Sequence, residues 1–397
     1  MSEGRKIGVI THYYNSQNYG GNLQAYALCK VVEQLNVGEV EQICYDTKRV
    51  SSSKSAKKSL MVAVRHPIKV LKAIKNKLSA HLVAARDNAY RNAFEERKRA
   101  IKAFNQDEIR HSDVVYNWQN IEQAATEYDI FITGSDQVWN PRAMHPAYLL
   151  SFVKDKPKFS YAASIACDNL TEEQQEIFKI NLSDYINISV REEKAKMLLT
   201  PLTKKEVRCV LDPTLLLDKE EWERISVPID ICGKFAFCYF LGDDMQSREL
   251  ARHYAQKHGL ILVTLPFMMG HYRKCDKKFG DKQLFNVTPQ QFISLIKNAE
   301  IVFTDSFHAA VFANIFEKQY FVFLRGRDCS MNSRIYQLNT LFGQENKFCD
   351  TPQKKNLEYI EANSHSIKST TSQKIALARK DSLEFLVDTL NKARKYE

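Results

Sequence analysis

The sequence lacks most of the features that mark specialised chains. Its 13 glycines and 10 prolines are thinly spread over 397 residues, which excludes collagen-like and proline- or glycine-rich disordered classes. No apolar run approaches the ~18 residues that a spanning helix needs, and the N-terminus, MSEGRKIGVI, does not have the form of a signal peptide. The nine cysteines are odd in number and scattered, with no CxxC pair. That argues against a zinc site or a disulfide scaffold and for a reducing compartment, so the cytoplasm is expected. No cluster has metal-ligand spacing, and neither metal nor cofactor is expected. The GxGxxG fingerprint of dinucleotide-binding units is also missing.

What remains is a globular composition, 44% hydrophobic and 26% charged, on a chain too long for one ordinary core. Two domains are expected. The net charge of +10 is concentrated: from Lys48 to Phe104 there are 16 Lys/Arg against three acids. The rest of the chain is close to neutral, so the protein as a whole is not a polyanion binder. Within the basic segment Val64, Ile68, Leu71, Leu78, Leu82 and Ala85 fall at roughly helical spacing, which predicts an amphipathic helix over 54–86. Such a helix suits an anionic membrane surface, or is a helical insertion with a solvated basic face. Nucleic acid is not expected as a partner, because aromatics are few there and no recognition module surrounds them.

The rest of the chain alternates strand-like and helix-like stretches, which predicts an α/β fold of two Rossmann-like domains facing across a cleft. Lys6–Thr11 reads as a strand, Asn18–Asn22 as a glycine-containing turn, and the residues from Leu23 as a helix. Gly20 and Gly21 are candidates for close backbone approach to phosphate or sugar, with Asn18 beside them; a plain turn is the alternative. Asp129–Thr133 is a strand running into Ser135 and Asp136, polar groups at a sheet's carboxyl edge. Lys158–Ile165 is a further strand, and Thr171 with Gln174 fits a capping box. Arg191 stands at a strand-to-helix junction, placed either to pair with an anion or to bond a neighbouring carboxylate. Asp212-Pro213 and the polar 218–224 segment read as a linker. The expected division is 1–215, with an insertion at about 48–110, then 216–350, then closing helices over 351–397.

The most informative stretch is Ile301–Phe316, IVFTDSFHAAVFANIF. An apolar strand meets a Thr-Asp-Ser turn and then a helix that starts on it. Asp305 or Ser306 can cap that helix, and its free N–H groups and dipole make an anion site. His308 lies in the first helical turn, at a strand's carboxyl end, where open α/β sheets place ligands. A capped helix whose histidine only satisfies local hydrogen bonds is the other reading.

Seven blocks in order, NYGGNLQAYAL (18–28), FITGSDQVWNP (131–141), YAASIA (161–166), SVREEKAKMLL (189–199), VLDPTLLL (210–217), FTDSFHAAVFANIF (303–316) and NSRI (332–335), resemble the polysaccharide pyruvyl transferase family. The resemblance covers most of the chain but not the basic insertion. It implies a GT-B-like pair of domains and transfer of pyruvate from phosphoenolpyruvate, the co-substrate, onto a saccharide acceptor as a cyclic ketal in cell-surface polysaccharide synthesis. It makes His308 the leading catalytic or donor-binding residue and places Arg191, and Arg334 of NSRI, on the donor. Asp136 is a candidate second base or acceptor group, Ser306 and Asp305 candidate donor contacts, and Asn18, Gly20, Gly21 and Ser135 a candidate acceptor or phosphate loop. One departure is Ala309, where the family commonly has glycine. A lipid-linked acceptor at the inner membrane face would give the basic segment a use. A nucleotide-sugar glycosyltransferase and a non-catalytic carbohydrate- or membrane-binding protein are the alternatives.

Overall fold

The computed structural model describes residues 5–47, 88–268, 273–325, 329–364 and 369–396. The helix expected over 54–86 lies outside them. Two parallel sheets carry the fold. The first runs β2-β1-β3-β4, from β1 (Lys6–Ile10), β2 (Glu39–Gln42), β3 (Ile130–Thr133) and β4 (Lys158–Ser160). In its centre Ile7 is in register with Val40 on one side and Ile130 on the other. A parallel pair, β5 (Ile188–Val190) and β6 (Val207–Cys209), extends this layer through a bridge between Ala163 and Val190. The second sheet runs β12-β11-β10-β7-β8-β9, from β7 (Phe235–Tyr239), β8 (Ile261–Thr264), β9 (Lys282–Gln283), β10 (Ile301–Thr304), β11 (Gln319–Phe323) and β12 (Phe348–Cys349).

Parallel strands need crossovers, and helices supply most of them. In the first half these are α1 (Tyr19–Gln34), α2 (Asn88–Glu108), α3 (Glu172–Leu182) and α4 (Glu193–Leu199). In the second half they are α6 (Met245–Lys257), α7 (Pro289–Asn298), α8 (Phe307–Ile315) and α9 (Cys329–Phe342), with α5 (Lys219–Ile225) leading in from the first half and α10 (Leu357–Ala362) following the last strand. The capping box of α3 forms as Thr171 and Gln174 allow. A last helix, α11 (Ser369–Arg394), packs on α8 and α9 and then crosses back to the first half. There Arg379 donates to the carbonyls of Leu215 and Leu217, Ser382 accepts from the Leu211 amide, and Asn187 bonds Thr389.

Three local expectations change. The turn over Asn18–Asn22 is the start of α1: the Asn18 side chain accepts from the Gly20 amide at 3.1 Å, and the Asn22 amide bonds the Asn18 carbonyl. Asn18 is therefore a helix cap. The strand expected over 158–165 stops at Ser160, because Ala162 and Ala166 adopt left-handed φ of 54° and 50°. The segment after Asp212 is no loose linker. Its Leu-Leu-Leu run is buried, Pro213–Leu215 forms a short turn against α1 and α8, and Asp218 caps α5 in a capping box.

The halves are bolted together. Tyr19, from α1, donates its hydroxyl to the Val287 carbonyl at 2.7 Å and stacks on Phe292 at 4.9 Å. Arg97 of α2 donates to the carbonyls of Pro266, Leu284 and Phe285. The C-terminal part of the basic insertion is thus a structural clamp across the two halves.

Candidate active site at the domain junction

In an open parallel sheet the crevice forms where neighbouring strands send their connections to opposite sides. In the first sheet that point lies between β1 and β3. His12 follows β1, and Ser135 and Asp136 follow β3. Arg191 follows β5 and Asp212 follows β6, so all five side chains start from one carboxyl edge. His308, in the first turn of α8, and Arg334, in α9, reach the same place from the second half.

The centre of this cluster is Asp212, which is fully buried. Its Oδ1 accepts from the Thr214 amide and hydroxyl. Its Oδ2 accepts from Arg191 Nη1 at 2.6 Å and from Ser135 Oγ at 2.9 Å, and lies 3.6 Å from His308 Nε2. The last distance is that of an ion pair, too long for a good hydrogen bond. Arg191 also faces Asp136 Oδ1 at 3.5 Å through Nη2. The guanidinium groups of Arg191 and Arg334 both lie over the Phe307 ring, at 4.6 and 5.9 Å from its centroid. Phe307 therefore sets the spacing of the two cations.

At α1 the first half meets His308 of the second at close range. A Cβ on Gly20 would lie 2.1 Å from His308 Nδ1, and one on Gly21 would lie 3.2 Å from the His12 carbonyl. Neither glycine needs a positive φ; close approach calls for glycine at 20 and leaves little room for a side chain at 21. The expectation of close backbone approach at Gly20-Gly21 thus describes their position, and the group that approaches Gly20 is the histidine of the opposite half.

The electrostatics follow from burial and neighbours. For Asp136 and Asp212 burial alone would raise the carboxyl pKa. The positive groups around them prevail and hold both below the ordinary range: chiefly Arg191 and His308 for Asp136, chiefly His308 and Arg191 for Asp212. Burial lowers His12, against the pull of Asp136. Burial, then the Arg191 charge, brings Arg334 down to about 10, so it stays charged at neutral pH. Arg334 forms no ion pair among the described residues, and its Nε, Arg191 Nε and His308 Nε2 are buried without a hydrogen-bond partner. Buried donors without partners are costly unless a ligand serves them. A cavity of about 180 Å³ borders Arg191, Asp212, Phe307 and Arg334. It is smaller than the ~300–1,000 Å³ of common ligand pockets and suits a small metabolite.

His308, Arg191, Arg334, Asp136 and Ser135 are therefore brought together, and Gly20 and Gly21 line the same junction. Ser306 serves as the cap of α8, accepting from the Ala309 amide at 3.5 Å. Asp305 takes another task than the donor contact expected of it. Its two oxygens accept from the Leu241 and Gly242 amides, both at 2.6 Å, and tie β10 to the turn after β7. Ala309 and its neighbour Ala310 are buried in the core. Sequence reasoning missed Asp212 and His12. Asp212 had a signal, an Asp-Pro at a strand's carboxyl edge, but it was read as a break in the chain.

Fold and site together define a two-domain, GT-B-like α/β protein with a charged cleft at its domain junction. By its sequence the chain belongs to the polysaccharide pyruvyl transferase family, whose model matches residues 18–326. No curated protein is matched by the sequence. Among solved structures it is similar to a provisionally assigned UDP-N-acetylglucosamine 2-epimerase of Listeria monocytogenes, at 11% identity and a TM-score of 0.51 over 98% of this chain and 91% of that one. The UDP-N-acetylglucosamine 2-epimerase of Neisseria meningitidis follows at 12% identity and TM-score 0.48, covering 96% and 99%. At such identities the likeness concerns fold alone.

Proposed function

We propose that the protein moves the pyruvyl group of phosphoenolpyruvate onto two hydroxyls of a sugar as a cyclic ketal, in cell-surface polysaccharide synthesis. The observation that supports this most is the meeting of His308 and Arg191 on Asp212, with Arg334, whose Nε has no hydrogen-bond partner among the described residues, in the same cluster. Phosphoenolpyruvate carries a carboxylate and a phosphate, and arginine forks suit both. Arg334 and the free edge of Arg191 bind the donor in this reading, and the start of α8 favours its negative charge.

Chemically, one sugar hydroxyl oxygen bonds to C2 of the enol as its O–H bond breaks, and the π electrons of C2=C3 take up a proton at C3, so that the proton lost from the hydroxyl balances the one gained by the new methyl group. The second hydroxyl oxygen then bonds to C2 as the C2–O bond to phosphate breaks, and its proton leaves with the phosphate. Proton transfer to and from these groups is the natural work of histidine. His308 moves the proton, and the Asp212 carboxylate beside it compensates the charge of its protonated form. Asp136, kept ionised by its neighbours, accepts a hydrogen bond from an acceptor hydroxyl. We place the reaction in the cytoplasm. Among the described residues no helix is long and apolar enough to cross a membrane, and a peripheral contact through 54–86 is tested by co-sedimentation with anionic liposomes.

Purified protein with phosphoenolpyruvate and a galactoside acceptor is expected to release phosphate and to add a pyruvyl mass to the sugar. Consumption of a UDP-sugar instead replaces this reading with glycosyl transfer, and binding of neither donor replaces it with a non-catalytic role.

A further inference from the structure

Forming the ketal requires each sugar hydroxyl to lose a proton, C3 of the donor to gain one and the leaving phosphate to gain the other. His308 offers a single nitrogen for this work. Its Nε2 is buried and lies 3.6 Å from Asp212, which leaves Nδ1, beside Gly20, for the substrate. A second proton-carrying group is called for, and the first half of the molecule holds one.

His12 leaves the carboxyl end of β1, and Asp136 leaves that of β3. The two strands pair up to Ile10 and Thr133, and the Gly134 amide still donates to the Ile10 carbonyl. Both side chains therefore start from adjacent strand ends. The His12 ring is set by packing: it stands edge-on to the buried Tyr148 ring, with centroids 4.3 Å apart. Its nitrogens make no hydrogen bond among the described residues, and the residue is partly exposed. Burial lowers its pKa more than the Asp136 charge raises it, so the imidazole is neutral at pH 7 and ready to accept a proton.

Asp136 is the group that connects His12 to the rest of the site. It adopts a left-handed φ of 68°, held there because its carbonyl accepts from the Val138 and Ser164 amides. Such conformations are uncommon outside glycine and gather at active sites. Its carboxylate faces Arg191 through Oδ1 and accepts no hydrogen bond among the described residues. A Cβ on Gly21 would lie 3.5 Å from Asp136 Oδ2 and 3.2 Å from the His12 carbonyl, so bare glycine backbone borders both. Asp136 feels the charge of both histidines, His308 from one half and His12 from the other.

We infer that His12 is the base that takes the proton of the first sugar hydroxyl, a hydroxyl oriented by Asp136, while His308 serves the donor. The inference rests on the pyruvyl-transfer reading. In the first step the hydroxyl O–H bond breaks toward His12, the oxygen bonds to C2, and the π electrons of C2=C3 take the proton of protonated His308. In the second step the other hydroxyl oxygen bonds to C2 and the C2–O bond to phosphate breaks, its electron pair staying on the phosphate, which leaves with that hydroxyl's proton. His12 then returns its proton to water and His308 regains one, so both imidazoles end as they began.

The test assays the full-length protein with phosphoenolpyruvate and a galactoside acceptor, wild type beside His12→Gln and His12→Ala. Loss of a general base is expected to slow phosphate release at saturating substrates by about 100-fold or more in both variants. Thermal stabilisation by phosphoenolpyruvate is expected to match wild type. Added imidazole is expected to speed His12→Ala about tenfold, because the space left beside Tyr148 admits a free base, and to leave His12→Gln unchanged. Phosphate release within about threefold of wild type in either variant overturns the role of His12 and leaves the pyruvyl-transfer reading standing. So does a loss that imidazole does not relieve in His12→Ala of unchanged melting temperature, or a loss of stabilisation by phosphoenolpyruvate in both variants, which would make His12 a donor contact. Absence of phosphate release in wild type overturns the pyruvyl-transfer reading itself, and the role of His12 falls with it.

Discussion

Gly20 and His308 touch across the domain junction, and a single methyl group on the glycine would occupy the place of the imidazole's Nδ1. The histidine's position is therefore set from two sides, by the helix start of one half and by the Asp212 carboxylate 3.6 Å from Nε2.

Gly20→Ala should cost far more activity than its chemistry suggests. Alanine favours a helix over glycine by about 1 kcal/mol, so α1 itself gains, yet His308 must move. The expected result is at least a 100-fold fall in phosphate release with a native circular-dichroism spectrum. Activity within threefold of wild type would show that the ring has room to shift.

His308→Ala should abolish turnover without unfolding the chain, because the side chain it removes lies at the junction and not in a core. Phosphate release and the melting temperature, measured on the same sample, check both halves of the statement. Near-normal turnover removes His308 from the chemistry.

Asp212→Asn should be among the most destabilising single-atom changes in the protein. It leaves Arg191 buried with its best partner gone, and breaking a buried pair from one side costs about 3–5 kcal/mol. Chemical denaturation measures it. Asp305→Asn serves as the contrast: one of two backbone amides loses its acceptor, costing about 1–3 kcal/mol, while the apparent affinity for phosphoenolpyruvate changes little.

Stability should fall with acid in two stages. His12 has a folded pKa below its ordinary value, so the unfolded chain takes up that proton first and stability declines as pH drops through about 6.5. Asp136 and Asp212 are also depressed. The stability they contribute is complete above the ordinary carboxylate range, about 4, and is lost as pH falls through it and below. Asp305, raised by burial, acts in the opposite direction and above the ordinary carboxylate value, adding stability as pH falls toward it. Melting temperatures from pH 8 to 3 should show both stages in wild type, and His12→Gln should remove the first.

Much of this architecture was legible in the residues. Ile301–Thr304 and Phe307–Ile315 follow directly from an apolar strand, a Ser cap and an apolar helix, and Arg191 was found because it sits where a strand gives way to a helix. Asp212 was not, because a proline after an aspartate marks a turn whether the turn is exposed or buried. What makes Asp212 the centre is three partners 21 to 96 positions away in the chain (Arg191, Ser135 and His308), and no local pattern encodes such a meeting. Asp305 shows the converse: the same local pattern that suggested a ligand contact is satisfied by two backbone amides of the turn after β7, 64 and 63 residues earlier.

The return of α11 to the first half makes the chain one melting unit. Its N-terminal part leans on α8 and α9, and its later turns hold Leu211, Leu215, Leu217 and Asn187 of the other half. Neither half can lose its packing without exposing the same strap. Two separate sheets should therefore give a single calorimetric transition in which calorimetric and van't Hoff enthalpies agree, and shaving α11 by mutation at Arg379 should weaken both halves together.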